Sequence, residues 1–147
     1  MNRSLTTKYN NKNLWLKGYS AAGLAAITAA AVDNNKYIKG IAVGGCLGSI
    51  DDTLLKRGAS GFGHIPHMRE WFDMEALIGL VSPRPCLVVA GIKDHIYPYK
   101  LSKRIINKAK IIFKKDKVEN NLVLIKGSKG HTYYPNLLWP KIDKFFR

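Results

Sequence analysis

Asn13-Leu14-Trp15-Leu16-Lys17-Gly18-Tyr19-Ser20-Ala21-Ala22-Gly23 begins as a short apolar run and ends in small residues. The run reads as a strand closing at Gly18, and the alanine-rich block from Ala21 to Val32 reads as a buried helix. Almost nothing separates them, so the turn that joins them is very tight. Further along, Ile38 to Cys46 and Cys86 to Gly91 are short, β-branched and closed by glycine, and Asn121 to Lys126 reads as a fourth strand. Helical patterns cover about Met74 to Leu80, Tyr99 to Lys115 and Leu137 to Phe146. The strands alternate with helices and are apolar throughout, not at every second residue. That combination predicts an α/β fold of three layers, α/β/α, with helices on both faces of a mostly parallel sheet. One stretch breaks the rhythm. Residues 48 to 70 hold Gly58, Gly61, Gly63 and Pro66 with little periodicity, which predicts a lid-like loop.

A chain of 147 residues with 46% hydrophobic and 23% charged side chains can close one core, so a single domain spanning 1–147 is expected. Its first residues contain no apolar block of signal-peptide length, and the longest apolar run, Ala21 to Val32, is too short to span a bilayer. Cys46 and Cys86 lie in separate apolar segments without metal-ligand spacing and read as buried free thiols. A soluble, cytoplasmic protein is therefore expected, unless a signal segment has been lost upstream. The formal charge of +14 raises the possibility of a polyanion-binding module. Its densest part, Lys93 to Lys117, interleaves lysines with Leu101, Ile105, Ile106 and Phe113, as the solvent face of an amphipathic helix does. Nucleic acid is accordingly not the expected partner.

Gly18-x-Ser20-x-Ala22 stands where a nucleophile elbow belongs, between a strand and a helix. Small neighbours are needed there because the serine sits on a sharp, strained turn that lifts its hydroxyl out of the sheet edge. The backbone N–H of Ala21, at the helix start, would face the space above Ser20 and supply one oxyanion donor. The bland alternative is a small-residue turn that merely packs a helix close to a strand. A dinucleotide site would require glycine at position 20, and a P-loop would require a lysine that is absent. Asp94 and His131 each follow a predicted strand directly. Alone, either reads as well as a helix cap or a turn residue. In an open parallel sheet, however, all strand C-termini share one edge, so Ser20, Asp94 and His131 would converge there, in the chain order Ser, Asp, His. His131 would then act as base toward Ser20, with Asp94 fixing its tautomer.

The residues His64-Ile65-Pro66-His67-Met68-Arg69, Phe72-Asp73, Ala76-Leu77-Ile78, Pro83-Arg84-Pro85-Cys86-Leu87-Val88-Val89, Gly91, Asp94, Pro98 and Gly130-His131 carry a resemblance. From Leu14 to Phe146 the chain resembles the α/β-hydrolase branch that includes dienelactone-hydrolase-like proteins, acetyl xylan esterases and relatives of the prolyl oligopeptidase catalytic domain. The resemblance implies serine-dependent hydrolysis of a small-molecule carboxylic ester with no metal or organic cofactor. By position it implies Ser20 as nucleophile, Asp94 as acid and His131 as base. Members of this branch usually have glycines after the serine, where this chain has Ala21-Ala22. Tyr19, beside the serine, and His64 and His67, in the lid-like loop, are the expected substrate contacts. The His64-x-x-His67 spacing is not read as a metal site, because no Cys or carboxylate cluster accompanies it.

Such hydrolases have several strands before the elbow, and a loop after one of them supplies the second oxyanion donor. Only about a dozen residues precede the first strand here. The expectation is a truncated α/β-hydrolase fold of about four strands, with the first strand as an open edge. Either the polypeptide is a fragment of a split or truncated gene, or Leu14-Trp15-Leu16 pairs with a second copy or a complementing chain; the alternative to an active esterase is a non-catalytic remnant or subunit that keeps the scaffold without turnover.

Overall fold

The computed structural model describes residues 14–33, 38–58 and 66–145. Strands β1 (Leu14–Tyr19), β2 (Ile38–Gly44), β3 (Cys86–Gly91) and β4 (Leu122–Gly127) form one sheet in the order β1-β2-β3-β4, and every neighbouring pair is parallel. Parallel neighbours require crossover connections. Helices α1 (Ala21–Val32), α2 (Met68–Trp71), α3 (Met74–Gly79) and α4 (Tyr99–Lys115) lie in these crossovers, and α5 (Pro135–Asp143) follows β4.

The strands are apolar throughout because both faces of the sheet are covered. Ile41, Val43, Cys86 and Val88 turn to the face packed by Leu24 and Ile27 of α1, Ile78 of α3, and Ile106 and Phe113 of α4. The alternate residues Ala42, Leu87 and Val89 turn to the other face, beneath Tyr134 and the α5 residues Leu138 and Ile142. Three layers result, as the pattern predicted. α4 buries Leu101, Ile105, Ile106, Ala109 and Phe113 and turns its lysines to solvent. Arg104 and Lys108 on that helix meet Asp52 and Glu75 at 3.1 and 2.8 Å.

At the β1 edge, Trp15, Lys17 and Tyr19 share one face of the strand by alternation. They meet Phe145 (ring centroids 5.9 Å apart), Trp139 (Lys17 Nζ 3.5 Å from the ring centroid) and Tyr133 (6.2 Å) in turn. Arg84 ties the C-terminal end of α1 to the approach to β3: its Nη2 donates to the Ala30 carbonyl at 2.6 Å, its Nη1 to that of Asp33 at 3.2 Å and its Nε to that of Val81 at 3.1 Å. Carbonyls at a helix end have no partner within the helix, and a cation there also suits the helix dipole.

Several boundaries differ from expectation. β1 runs through Gly18 to Tyr19, because Gly18 and Tyr19 stay in register with Val43 and Gly44. β2 stops at Gly44, since Gly45 has φ 57° and turns the chain away. Within the predicted lid-like loop lie a single π-helical turn, Asp51–Leu55, and α2. Ser49 explains the first: its Oγ accepts from the Asp52 N–H at 3.1 Å while its carbonyl accepts from Thr53 Oγ1 at 2.7 Å. α5 begins at Pro135, two residues earlier than expected; a proline suits the first helical position. Its predicted end at Phe146 lies outside the described residues.

Candidate active site

Because all four strands run the same way, the segments that leave their C-terminal ends gather at one edge. Ser20 follows β1, Asp94 lies three residues after β3, and His131 lies four residues after β4. Ser20 adopts φ 53° and ψ −125°, a conformation that costs a side-chain-bearing residue about 1–3 kcal/mol. Backbone hydrogen bonds hold it on both sides. Its N–H donates to the Gly44 carbonyl at 2.9 Å, and its own carbonyl accepts from Gly23 and Leu24 at 2.9 and 3.1 Å. Gly18 makes the turn possible, since a Cβ there would overlap the Ala22 carbonyl of the incoming helix. Ala22, by contrast, is exposed, so its methyl fits where the elbow pattern has a second glycine.

The three side chains meet. His131 Nε2 lies 3.1 Å from Ser20 Oγ, and His131 Nδ1 lies 2.8 Å from Asp94 Oδ2. A carboxylate only accepts, which puts the proton on Nδ1 and leaves Nε2 free to accept from the serine hydroxyl. Asp94 is buried, its side chain 1% exposed, and its other oxygen accepts from the N–H groups of Ile96 and Tyr97, both at 2.9 Å. Three donors thus compensate the burial of the carboxylate. The loops bearing Asp94 and His131 are joined, Ile92 N–H donating to the Gly127 carbonyl at 2.9 Å and Lys93 N–H to that of Lys129 at 3.1 Å. Tyr134 braces the second loop: its hydroxyl donates to the Gly130 carbonyl and accepts from the Lys129 N–H, each at 3.0 Å.

Around the imidazole, the Tyr19 ring stands 4.9 Å away, centroid to centroid, tilted by 43°, and the Tyr97 ring 6.0 Å away at 26°. The Tyr19 hydroxyl is buried without a hydrogen-bond partner among the described residues. Burial, and next the nearby Asp94 carboxylate, push its phenol up to about 12. The Cys46 thiol, wholly buried behind β2, is pushed up to about 12 by the same two causes in the same order.

Of the residues singled out in the sequence, Ser20, Asp94 and His131 come together. Ala21 carries the first N–H of α1, which has no carbonyl to bond within the helix. Tyr19 adjoins the group through its ring. His67 does not join it: that side chain is 77% exposed and pairs with Glu70 at 2.7 Å. His64 lies outside the described residues. Gly45, Tyr97 and Tyr134 were not foreseen; a glycine pair after a strand and tyrosines three residues past Asp94 and His131 were the only signals they gave. Among the described residues no cluster of three His, Cys, Asp or Glu could hold a metal ion, and no helix is long and apolar enough to cross a membrane.

No protein-family model matches the sequence, and no curated protein matches it significantly. Solved structures do. A carbohydrate esterase family 15 glucuronoyl esterase from Caldicellulosiruptor kristjansonii matches with a TM-score of 0.70 and 18% identity, over 89% of this chain and 42% of that one. A glucuronoyl esterase from Solibacter usitatus matches with 0.68 and 18%, over 88% and 40%, and one from Teredinibacter turnerae T7901 with 0.66 and 19%, over 88% and 39%. At such identities the likeness is one of fold alone: a parallel four-stranded sheet covered by helices, shared with part of each of these esterases. The chain spans about 40% of the length of these structures.

Proposed function

We propose that this chain carries the nucleophile, acid and base of a serine esterase. The observation that supports the reading best is the continuous hydrogen-bonded line from Asp94 through His131 to Ser20, ending on a serine held in a strained turn. His131 Nε2 takes the Ser20 proton as Oγ attacks the acyl carbon. The negative charge that develops on the former carbonyl oxygen meets the N–H of Ala21. Collapse of the tetrahedral adduct expels the alcohol, which leaves with the proton from Nε2, and Ser20 keeps the acyl group. Water, deprotonated by the same nitrogen, then releases the acid and restores the hydroxyl. Asp94 keeps the imidazole oriented and offsets its positive charge in transit.

The substrate class follows from two likenesses. The sequence resembles dienelactone-hydrolase-like proteins and acetyl xylan esterases, and the structural neighbours are glucuronoyl esterases. Both favour a small carboxylic ester, with acetyl esters and esters of a sugar acid as the first to assay. Arg57, in the described part of the 48–70 segment, reaches the acid loop, its Nη1 donating to the His95 carbonyl at 3.1 Å. On this reading His64, in the same segment, is the candidate substrate contact. Hydrolysis of p-nitrophenyl acetate by the wild-type protein, lost in Ser20→Ala, is the expected result; equal rates in the two proteins reject the proposal.

A further inference from the structure

Resting on the serine-esterase reading, we infer that Tyr19 and Gly45 are positioning residues that build a slot for the His131 imidazole. Two hydrogen bonds on opposite ring nitrogens hold only while the ring plane contains both Asp94 Oδ2 and Ser20 Oγ. A rotation of the ring breaks one of them, and at 18% exposure water can compete for Nε2. The slot removes that freedom. Tyr19 forms one wall, 4.9 Å from the imidazole, and Tyr97 another, 6.0 Å away. Gly45, at φ 57°, is the floor: a Cβ there would come within 2.7 Å of Tyr19 Cε2 and 3.2 Å of His131 Cε1. A bare backbone at that point is what lets both rings lie as close as they do.

Tyr19 directly precedes Ser20, so the strand end that fixes the nucleophile also fixes the wall against which the base rests. The Tyr19 ring further offers π electrons to the imidazole, which favours the cation formed while the proton is in transit. The hydroxyl, which has no hydrogen-bond partner among the described residues, takes no part in this, so the ring is what matters.

Phosphonylation by a fluorophosphonate probe separates the maximal rate from probe affinity. Tyr19→Leu is expected to lower the maximal rate roughly ten- to a hundred-fold with affinity unchanged, as a misplaced catalytic group does. Tyr19→Phe is expected to restore most of that loss, and Gly45→Ala to behave as Tyr19→Leu does. Independently of turnover, proton NMR of the wild type is expected to show nuclear Overhauser contacts from His131 Hε1 to the Tyr19 ring and to the Gly45 α protons. Their absence overturns the slot even where a variant fails to fold. A wild type that labels at Ser20 while Tyr19→Leu labels as fast also overturns the slot and leaves the esterase reading standing. A wild type that shows the contacts but is never labelled keeps the slot and removes the esterase reading.

Discussion

Replacing Asp94 by asparagine keeps the shape of the side chain and changes two things, its charge and the hydrogen-bonding sense of one terminal atom. In the structure Oδ1 accepts from the N–H groups of Ile96 and Tyr97, and Oδ2 accepts from His131 Nδ1. An amide has a single acceptor oxygen. With that oxygen facing the two backbone donors, its NH₂ faces Nδ1, which must then accept. The imidazole proton moves to Nε2, pointing at Ser20 Oγ, where it can no longer take up the serine proton. The opposite amide orientation retains the working tautomer but leaves two buried N–H groups unpaired, at about 1–3 kcal/mol each. Recovering the productive arrangement therefore costs about 2–6 kcal/mol, or roughly thirty- to twenty-five-thousand-fold in rate. The upper end matches the roughly 10⁴-fold loss found when the carboxylate of a serine triad is made an amide. The second-order rate of fluorophosphonate labelling, alongside a thermal melt to show an intact fold, measures this. Labelling of Asp94→Asn within threefold of wild type would refute the reasoning.

Four further outcomes are expected. Gly18→Ala drives a methyl into the Ala22 carbonyl at the start of α1 and should cost about 1–3 kcal/mol in urea unfolding, together with slower labelling of Ser20; a neutral effect would contradict the close strand–helix approach. Arg84→Ala removes the guanidinium that bonds the Ala30, Asp33 and Val81 carbonyls, and should cost roughly 1.5–3 kcal/mol, partly recovered by Arg84→Lys, with a smaller loss counting against this clamp. Tyr19 and Cys46 have folded-state values raised above their unfolded ones, so the stability they contribute is complete below about pH 9 and is lost as the pH rises toward about 12. The thermal midpoint should fall across that window, and neither Cys46 nor Cys86 should react with a disulfide reagent at pH 8 until the protein unfolds; rapid reaction would show that the thiols are not buried.

The sheet was legible in the sequence because each strand is a compact apolar run and each face has a helix to cover it. α4 was found to the residue, since its lysines and isoleucines follow one helical period from Tyr99 to Lys115. The order of Ser20, Asp94 and His131 at three strand ends was equally legible, because parallel strands leave their C-termini on one edge. The turns of helix inside 48–70 were not. The turn at Asp51–Leu55 is set by Ser49, whose Oγ accepts from the Asp52 N–H and whose carbonyl accepts from Thr53 Oγ1. Such local bonds leave no apolar period to read. The surroundings of the imidazole were hidden for a different reason. Gly45 and Tyr97 approach it from separate loops, and their chemistry carries no motif. Tyr19 was read as a substrate contact from its place beside the serine, while its ring lies against His131.

Every step of the proposed ester hydrolysis depends on the Ser20 hydroxyl being made reactive by its two partners. Incubation with a fluorophosphonate, followed by peptide mass spectrometry, addresses this directly. One adduct on Ser20, absent from Ser20→Ala and strongly reduced in His131→Gln, is the expected result. A wild-type chain that stays unmodified, or adducts spread over other serines and unchanged in both variants, would contradict it.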